Sequence, residues 1–323
     1  MQSKGPSILP WSGDQLPLML APMQGVTNWA LRSLFIDWVR PDLVFTEFMR
    51  VGSGDVRRLA ATDRRELAAE EGGVPLVVQL IGHGRDALVD AAKIAEAAGV
   101  RHINLNMGCP YGRMTSSLTG GGMLKRPDQL QEIIPPLREA IRGSFSIKIR
   151  SGFEDPEQVL SLLPLFERAG VDFLVLHPRT VRQEYEGAAD HGITARVVRQ
   201  TSIPVIANGD IRTAQDGMRV RQESGAAGLM LGRGAIADPL LFHRLRGMAT
   251  AEPTIDERRA ITKRYLQELL PRYARLFCGE AQLLSKMKGV VKMITHEELR
   301  PEIKALCKCQ NLCSFTALLD DLS

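Results

Sequence analysis

The residues with the clearest chemical potential lie in residues 101–110, which read RHINLNMGCP. Residues 101–106 alternate polar and apolar side chains as a short β-strand does, and Gly108, Cys109 and Pro110 then break the pattern into a loop. A lone thiol just after a strand can act as a nucleophile or, if it stays protonated, as a general acid. Asn106, three residues upstream, offers an amide that can orient a substrate. The structural alternative is a small buried side chain that only fills space at a turn.

Alternating strand and helix patterns predict the framework that positions this loop. The apolar strand segments are residues 16–23, 43–46, 75–81, 101–106, 145–149, 172–176, 203–207 and 227–231. The helical segments between them are residues 27–39, 55–71, 85–98, 128–141, 156–169, 193–200 and 214–224, and Thr27 or Asn28 is the predicted cap of the first. Near-continuous apolar strands indicate a parallel sheet covered by helices. Eight of them in about 250 residues favour an α/β fold of the closed (β/α)8 TIM barrel type over an open doubly wound sheet.

In such a barrel the residues that follow each strand face one common mouth. Those residues here are Pro22, Met23, Gln24, Glu47, Gln79, Asn106, Cys109, Lys148, Arg150, His177, Arg179, Asn208, Gly209, Asp210, Gly232, Arg233 and Gly234. Singly, Glu47 could be solvated, Lys148 could pair with a carboxylate inside the barrel, and His177 could be a turn residue. Polar groups at nearly every strand end are costly to bury unless they are paired or bound to something, so together they predict a ligand site.

The loops after the seventh and eighth strands suggest that this ligand carries a phosphate. They read Asn208-Gly-Asp and Gly232-Arg-Gly, and barrels commonly bind phosphate at these two places through backbone N–H groups. Arg233 adds positive charge. With Lys148 and Gln79 on neighbouring strands, the mouth could hold a planar phosphorylated cofactor such as FMN, with the cation near the electron-rich edge of the ring and the amide at a ring carbonyl.

Composition limits the class of protein. The chain has 323 residues, 44% of them hydrophobic and 24% charged, which is typical of a globular protein with one large barrel and a small appendage. Neither an apolar run of about 20 residues nor a basic start followed by an apolar block is visible, so we expect no membrane span and no signal peptide. Five cysteines, an odd number, favour a reducing cytoplasmic location. A net charge of +4 permits a nucleic-acid partner without requiring one.

Beyond residue 247 the pattern changes to amphipathic helices, predicted over residues 256–270, 280–296 and 301–319. Lysine and arginine are frequent between residues 258 and 292, and Lys288 and Lys292 are predicted to share a helix face. That face is either a solvated surface or a contact for an RNA backbone.

Four of the five cysteines lie in this last part of the chain, at positions 278, 307, 309 and 313. The spacing C-x-C-x₃-C lacks the paired C-x-x-C of a zinc site, and no histidine falls at a regular offset. We therefore predict no metal site.

Eight segments along residues 16–247 resemble the tRNA-dihydrouridine synthase family. They are LAPMQGVTN at 20–28, TEF at 46–48, VQLIG at 78–82, NLNMGCP at 104–110, KIRSGF at 148–153, HPRT at 177–180, PVIANGDI at 204–211 and LGRGA at 231–235. The chain departs from the family pattern at Pro178, where glycine is usual, and at His191, where tryptophan is common. Residues 111–113 and 119–122 also differ in detail from the commonest family loops, which could change the RNA that is accepted.

The resemblance implies an enzyme of three parts: an N-terminal extension at residues 1–15, an FMN-binding TIM barrel at 16–247 and an all-α helical RNA-binding domain at 248–323. It implies that NADPH reduces the flavin, which then reduces a uridine in folded RNA, most simply tRNA. The implied flavin contacts are Pro22, Met23, Gln24, Gln79, Lys148, His177, Asn208, Gly209, Asp210, Gly232 and Arg233.

The resemblance also implies that Cys109 protonates the uracil ring and that Asn106 and Arg179 position or polarise the base. Lys288 and Lys292 are the predicted RNA-backbone contacts, and we expect a monomer. Three alternatives stay open on the sequence alone: a flavin reductase of a free pyrimidine or small enone, a dihydrouridine synthase acting on ribosomal RNA, and a non-catalytic RNA-binding protein.

Overall fold

Ten β-strands form the centre of the computed structural model, which describes residues 9–11, 16–52, 58–68, 70–112, 115 and 118–322. The strands are β1 (Leu18–Leu20), β2 (Val44–Phe45), β3 (Met49–Arg50), β4 (Glu70–Glu71), β5 (Val74–Ile81), β6 (His102–Met107), β7 (Ser144–Arg150), β8 (Phe173–His177), β9 (Val205–Asn208) and β10 (Gly228–Leu231). Eight of them pair in the order β1-β10-β9-β8-β7-β6-β5-β2, and every one of these pairings is parallel. A parallel bridge between Met19 and Leu43 joins β2 to β1. The predicted eight-stranded TIM barrel is confirmed.

Helices cover the outside of the barrel. They are α1 (Trp29–Val39), α2 (Ala61–Arg64), α3 (Arg85–Ala97), α4 (Leu130–Ala140), α5 (Gln158–Ala169), α6 (His191–Gln200), α7 (Ala214–Ser224), α8 (Arg233–Ala237) and α9 (Leu241–Leu245). Asn28 caps α1, as predicted, because its side-chain oxygen accepts the backbone N–H of Leu31 at 3.2 Å. Apolar residues of the strands and of the inner helix faces form the buried core between the two layers.

The helix predicted over residues 55–71 is wrong. In the part of this segment that the structure describes, only α2 is helical; residues 53–57 and 69 lie outside the described residues. Glu70 and Glu71 instead pair antiparallel with the start of β5. The hairpin turn between them consists of Gly72 and Gly73, whose φ angles of 57° and 72° are accessible to glycine with little strain.

The helical region after the barrel contains α10 (Ile255–Leu276), α11 (Glu280–Val291), α12 (Arg300–Lys308) and α13 (Leu312–Asp320). The single helix predicted over 301–319 is wrong, because the chain breaks between α12 and α13. There Asn311 caps α13 by accepting the N–H of Ser314 at 2.8 Å. Helix α11 ends before residue 296, and α10 continues past Pro271, where Tyr273 is buried.

The helical region packs on the barrel through α10 and α1. The indole N–H of Trp38 donates to Glu268 at 2.7 Å, and Arg272 donates to Asp37 at 2.7 Å. The rings of Phe35 and Tyr265 meet edge to face, with their centroids 6.3 Å apart. The apolar core is continuous across this contact, and the domain boundary at residues 247/248 stays a prediction. None of the described helices is long and apolar enough to cross a membrane.

Candidate active site at the barrel mouth

Two adjoining cavities open where the strands end. The larger, here called the mouth cavity, is lined by Gln24, Phe48, Asn106, Cys109, Arg150 and Met293 among others. The smaller, here called the inner pocket, is lined by Asn208, Gly209, Asp210 and Gly232, and both cavities share Pro22, Met23, Lys148, His177, Tyr185 and Arg233. Every predicted flavin contact except Gln79 therefore lines one of the two cavities.

Cys109 is held in the mouth cavity by its own loop. The side-chain oxygen of Asn106 accepts the backbone N–H groups of both Gly108 and Cys109 at 3.0 Å. On the other side, Gly121 donates its N–H to the Cys109 carbonyl, and a Cβ at Gly121 would lie only 2.8 Å from that oxygen. Burial raises the pKa of the Cys109 thiol above its usual value. At neutral pH the group is thus a protonated thiol, which suits a general acid better than a nucleophile.

Asn106 belongs to a chain of side-chain amides that crosses the barrel. Asn106 donates to Gln79, Gln79 donates to Asn104, and Asn104 donates to Ser146, each at 2.8 Å. Gln79 and Asn104 are fully buried. The structure therefore does not bring Gln79 to the cavity wall; it lies one layer deeper, where it fixes Asn106 and through it the cysteine loop.

Lys148 and His177 form the floor shared by the two cavities. The Lys148 ammonium donates to the side-chain oxygen of Asn208 at 2.9 Å, and Asn208 donates onward to the Met230 carbonyl at 2.8 Å. Burial, together with the nearby Arg150, lowers the pKa of Lys148 to about 7. Burial and the surrounding cations, Lys148 first among them, hold the pKa of His177 well below its usual value, so its imidazole is neutral.

Arg179, predicted to position the base, faces inward. Its guanidinium donates to His177 Nε2 at 3.1 Å, to the Gly187 carbonyl at 2.7 Å and to Asp210 at 2.5 Å. Its side chain is 3% exposed, and it lines neither of the two cavities. Burial raises the pKa of Asp210, but the Ala189 N–H and Arg179 outweigh it and lower the value overall. Arg179 therefore ties the loop after β8 to the loop after β9.

Sequence reasoning did not select several residues of the mouth cavity, among them Phe48, Tyr185 and Met293, and gave no role to Arg150. Arg150 is buried, and its Nε donates to the Gly108 carbonyl at 2.9 Å. Its guanidinium and that of Arg233 lie 5.4 and 4.8 Å from the ring centre of Tyr185. Tyr185 lies in the middle of a loop and Met293 in the helical region, so no strand-end rule could select them. Phe48, which packs beside Cys109, lies in the quoted TEF segment.

The predicted pair of RNA contacts lies at the carboxyl end of α11, where the Lys292 N–H donates to the Lys288 carbonyl at 3.0 Å. Lys288 donates to the Cys309 carbonyl within the helical region. Lys292 lies just past the end of α11, is exposed, and lines a separate cavity. The two lysines therefore lie one helical turn apart, the Lys288 ammonium bonded to a backbone carbonyl, and their contact with an RNA backbone stays a prediction.

The four C-terminal cysteines are free thiols, as is Cys109. Within the described ranges, no three histidine, cysteine, aspartate or glutamate side chains are close enough together to hold a metal ion.

Comparison with known proteins gives the same family as the sequence motifs. Residues 19–319 match the family model described as dihydrouridine synthase. The chain is 33% identical over 265 residues to a tRNA-dihydrouridine(16) synthase of Cupriavidus necator, covering 80% of this chain and 82% of that protein. It is 37% identical over 225 residues to a probable tRNA-dihydrouridine synthase of Rhodobacter capsulatus, covering 69% and 68% of the two chains.

Solved structures share the fold at low identity. The old yellow enzyme homologue of Zymomonas mobilis superposes with a TM-score of 0.53 at 13% identity, covering 76% of this chain and 92% of that one. A structure of TcOYE with pHBA gives a TM-score of 0.53 at 14% identity, covering 77% and 94%. These likenesses concern the barrel architecture alone.

Proposed function

The chain belongs to the dihydrouridine synthase family, and on that premise we propose that it reduces uridines in tRNA to 5,6-dihydrouridine, with FMN as its flavin and NADPH as the reductant. One observation carries the proposal. The buried, protonated thiol of Cys109 lines the same cavity as Lys148, His177 and Arg233, which continue into the phosphate-type loops after β9 and β10.

The residues around the inner pocket suit a planar, anionic group such as FMN. Arg233 supplies positive charge, an anion beside Lys148 would favour the charged form of that amine, and a short helix begins directly after Gly232. A Cβ at Gly232 would lie 3.6 Å from Ala21 and 3.7 Å from the Met23 sulfur, so the glycine leaves room along this wall.

We propose that the flavin is held by the predicted contacts that line the cavities, and that Gln79 supports them from below. The contacts are Pro22, Met23, Gln24, Lys148, His177, Asn208, Gly209, Asp210, Gly232 and Arg233. When bound and reduced, the flavin supplies the hydride that the uracil ring receives at carbon 6.

The side chains of this chain supply the proton and the geometry. Cys109 donates the thiol proton to carbon 5 of the uracil, so that the ring gains two hydrogens and the thiolate is reprotonated from solvent. Asn106 and Arg150 hold the backbone of the cysteine loop at Gly108 and Cys109. Tyr185, of which 46% is exposed, offers a ring face to a base that has been turned out of its stack.

The helical region is proposed to bind the RNA, because it reaches the mouth itself. Met293 lines the mouth cavity together with Cys109. Lys292 lies next to it and is exposed. Because one chain supplies all of these residues, we propose a monomer, and with tRNA as the substrate we propose a cytoplasmic enzyme.

The test is RNA-dependent reoxidation of the FMN-bound, NADPH-reduced protein without oxygen. Unmodified bulk tRNA, ribosomal RNA and free uridine are added in parallel, the oxidised flavin absorbance is followed, and the products are mapped by mass. We expect tRNA to reoxidise the flavin and one uridine to gain two hydrogens. Reoxidation by ribosomal RNA alone or by uridine alone would overturn the tRNA assignment, and no reoxidation at all would overturn the reaction.

A matched cysteine pair tests the proton donor. Cys109→Ala should slow the RNA-dependent step by about 10²- to 10⁴-fold, the usual worth of a positioned general acid, while the reduction by NADPH proceeds as before. Cys278→Ala removes an exposed thiol of the helical region and should leave both steps unchanged. Equal rates for the two variants would exclude Cys109 as the acid.

A further inference from the structure

Two exposed tyrosines lie at the rim of the mouth cavity. Of the aromatic side chains in the described part of the chain, only Tyr111 and Tyr185 are exposed, at 58% and 46%, and both line this cavity. Cys109, in the same cavity, is only 8% exposed. The cavity therefore extends from a buried acid outward to two aromatic rings, of which only Tyr185 has a role in the proposed reaction.

The backbone fixes the position of Tyr111 relative to the acid. Tyr111 is the second residue after Cys109, and its backbone N–H donates to the Cys109 sulfur. On the other side, the Tyr111 carbonyl accepts the N–H of Thr115 at 3.1 Å. A ring attached at this point is a close neighbour of any base that receives the thiol proton.

Tyr111 and Tyr185 face each other across the rim, one from the loop after β6 and the other from the loop after β8. The charge of Tyr185, then burial and a hydrogen bond between the two side chains, raise the pKa of Tyr111 above its usual value. Tyr111 is therefore a neutral phenol at neutral pH. Its ring offers an uncharged, flat surface where the cavity opens to solvent.

A nucleobase is the partner that such a surface fits. Every base has a π-face that stacks on an aromatic ring, whatever the RNA sequence. Turning a uridine out of its stack leaves the adjacent base without one of its stacking partners. With the uracil beside Cys109 and Tyr185, the adjacent nucleotide must leave the cavity over the rim, where Tyr111 lies.

We propose that Tyr111 stacks on a base adjacent to the reduced uridine and replaces the stacking partner that this base has lost. The inference rests on the proposed function, which supplies the RNA. In this role Tyr111 stabilises the RNA with its uridine turned out and does not touch the reacting ring. Tyr111 belongs to residues 111–113, where the chain departs from the commonest family loops, so the contact is a feature of this chain.

The first experiment measures RNA affinity without turnover. Oxidised, FMN-bound protein is titrated, without NADPH, with a synthetic tRNA transcript that carries the uridine identified by product mapping. Tyr111→Ala should weaken binding by about 5- to 150-fold, the usual loss when a side chain that stacks on one base becomes alanine. Tyr111→Phe keeps the ring and should stay within about twofold of the wild type. The control Met218→Ala removes an exposed side chain from α7 and should leave the affinity unchanged.

The second experiment identifies the base that lies on the ring. Three further transcripts lack the base on the 5′ side of the uridine, the base on the 3′ side, or the uracil itself. Where the stacked base is missing, the ratio of wild-type to Tyr111→Ala affinity should fall to about one, because the ring then has no partner to lose. We expect this at one of the two neighbours. A purely structural role of Tyr111 would give the same ratio with every transcript and would refute the proposal.

Three other results would also overturn it. They are wild-type affinity in Tyr111→Ala, an equal loss in Tyr111→Phe and Tyr111→Ala, and a ratio that falls only when the uracil itself is missing, which would place the reduced base on Tyr111. A failure of the proposed function looks different, because no RNA then reoxidises the wild-type protein and no uridine is mapped. The inference would fall with it.

Discussion

Replacing Asn106 by alanine should separate a positioning role for this residue from direct contact with the substrate. Its side-chain oxygen is the acceptor for two backbone N–H groups, those of Gly108 and Cys109, and its amide N–H is a donor to Gln79. Each buried group left without a partner costs about 1–3 kcal/mol, so the two N–H groups alone predict a loss of about 2–6 kcal/mol in the free energy of unfolding. The same change releases the loop that holds the thiol, so the proton-transfer step should slow as well.

The assay is urea unfolding of the FMN-bound protein, together with single-turnover reoxidation of the reduced flavin by tRNA. The matched control is Asn311→Ala, which removes one exposed helix cap at α13. It should cost about 1 kcal/mol and leave reoxidation unchanged. An Asn106→Ala protein as stable as the control, with a rate defect that saturating tRNA fully overcomes, would refute the reasoning and assign Asn106 to substrate binding alone.

Three further predictions concern stability. Burial and then Glu66 raise the pKa of Glu47 to about 7, and its Oε1 has no partner among the described residues. The contribution of Glu47 to the free energy of unfolding is therefore full below pH 4.5 and is lost as the pH rises through 7. Glu47→Gln should accordingly raise Tm at pH 8 and leave it unchanged at pH 4.5. Burial lowers the pKa of His102 to about 4, so the contribution of this residue to the free energy of unfolding is full above pH 6.5 and is lost as the pH falls towards 4. In urea unfolding, the wild type should lose about 3 kcal/mol more than His102→Gln over that range. Equal losses for the two proteins would contradict this prediction. A Cβ at Gly234 would lie 2.2 Å from the Ile211 carbonyl, so Gly234→Ala should lower both Tm and the affinity for FMN. A Cβ at Gly289 in α11 would have no atom within 4 Å, so Gly289→Ala should leave Tm unchanged or raise it. Equal changes in Tm for the two glycine variants would contradict the steric argument.

The predictions that failed lie where local pattern and tertiary contacts disagree. Residues 55–71 are charged and alanine-rich, which suggests a helix, yet the following pair Gly72 and Gly73 turns the chain so that Glu70–Glu71 pairs with β5. In the last helices, periodicity runs across residues 301–319, but Asn311 offers a cap and starts a new helix. Helix α10 shows the reverse case, because burial of Tyr273 keeps the chain helical beyond a proline.

The sequence by itself determined the barrel, the order of its strands and the loop that carries Cys109. Side-chain periodicity is local, and parallel strands in strict alternation with helices always bring their carboxyl ends to one mouth. Nearly all of the predicted flavin contacts follow from that rule, because they are strand-end residues. The family motifs added the chemistry that these positions could perform.

Only the tertiary structure decided which strand-end residues face the cavity and which turn inward. Gln79 lies near the carboxyl end of β5, as Lys148 does in β7, and Arg179 follows β8. Gln79 and Arg179 nevertheless bond to partners from other parts of the chain: Asn104 and Asn106 for Gln79, and Asp210 for Arg179. Met293 reaches the mouth cavity only because the helical region packs against the barrel. The side chain of a buried polar residue points towards its hydrogen-bond partners, and partners distant in sequence are not encoded in any local spacing.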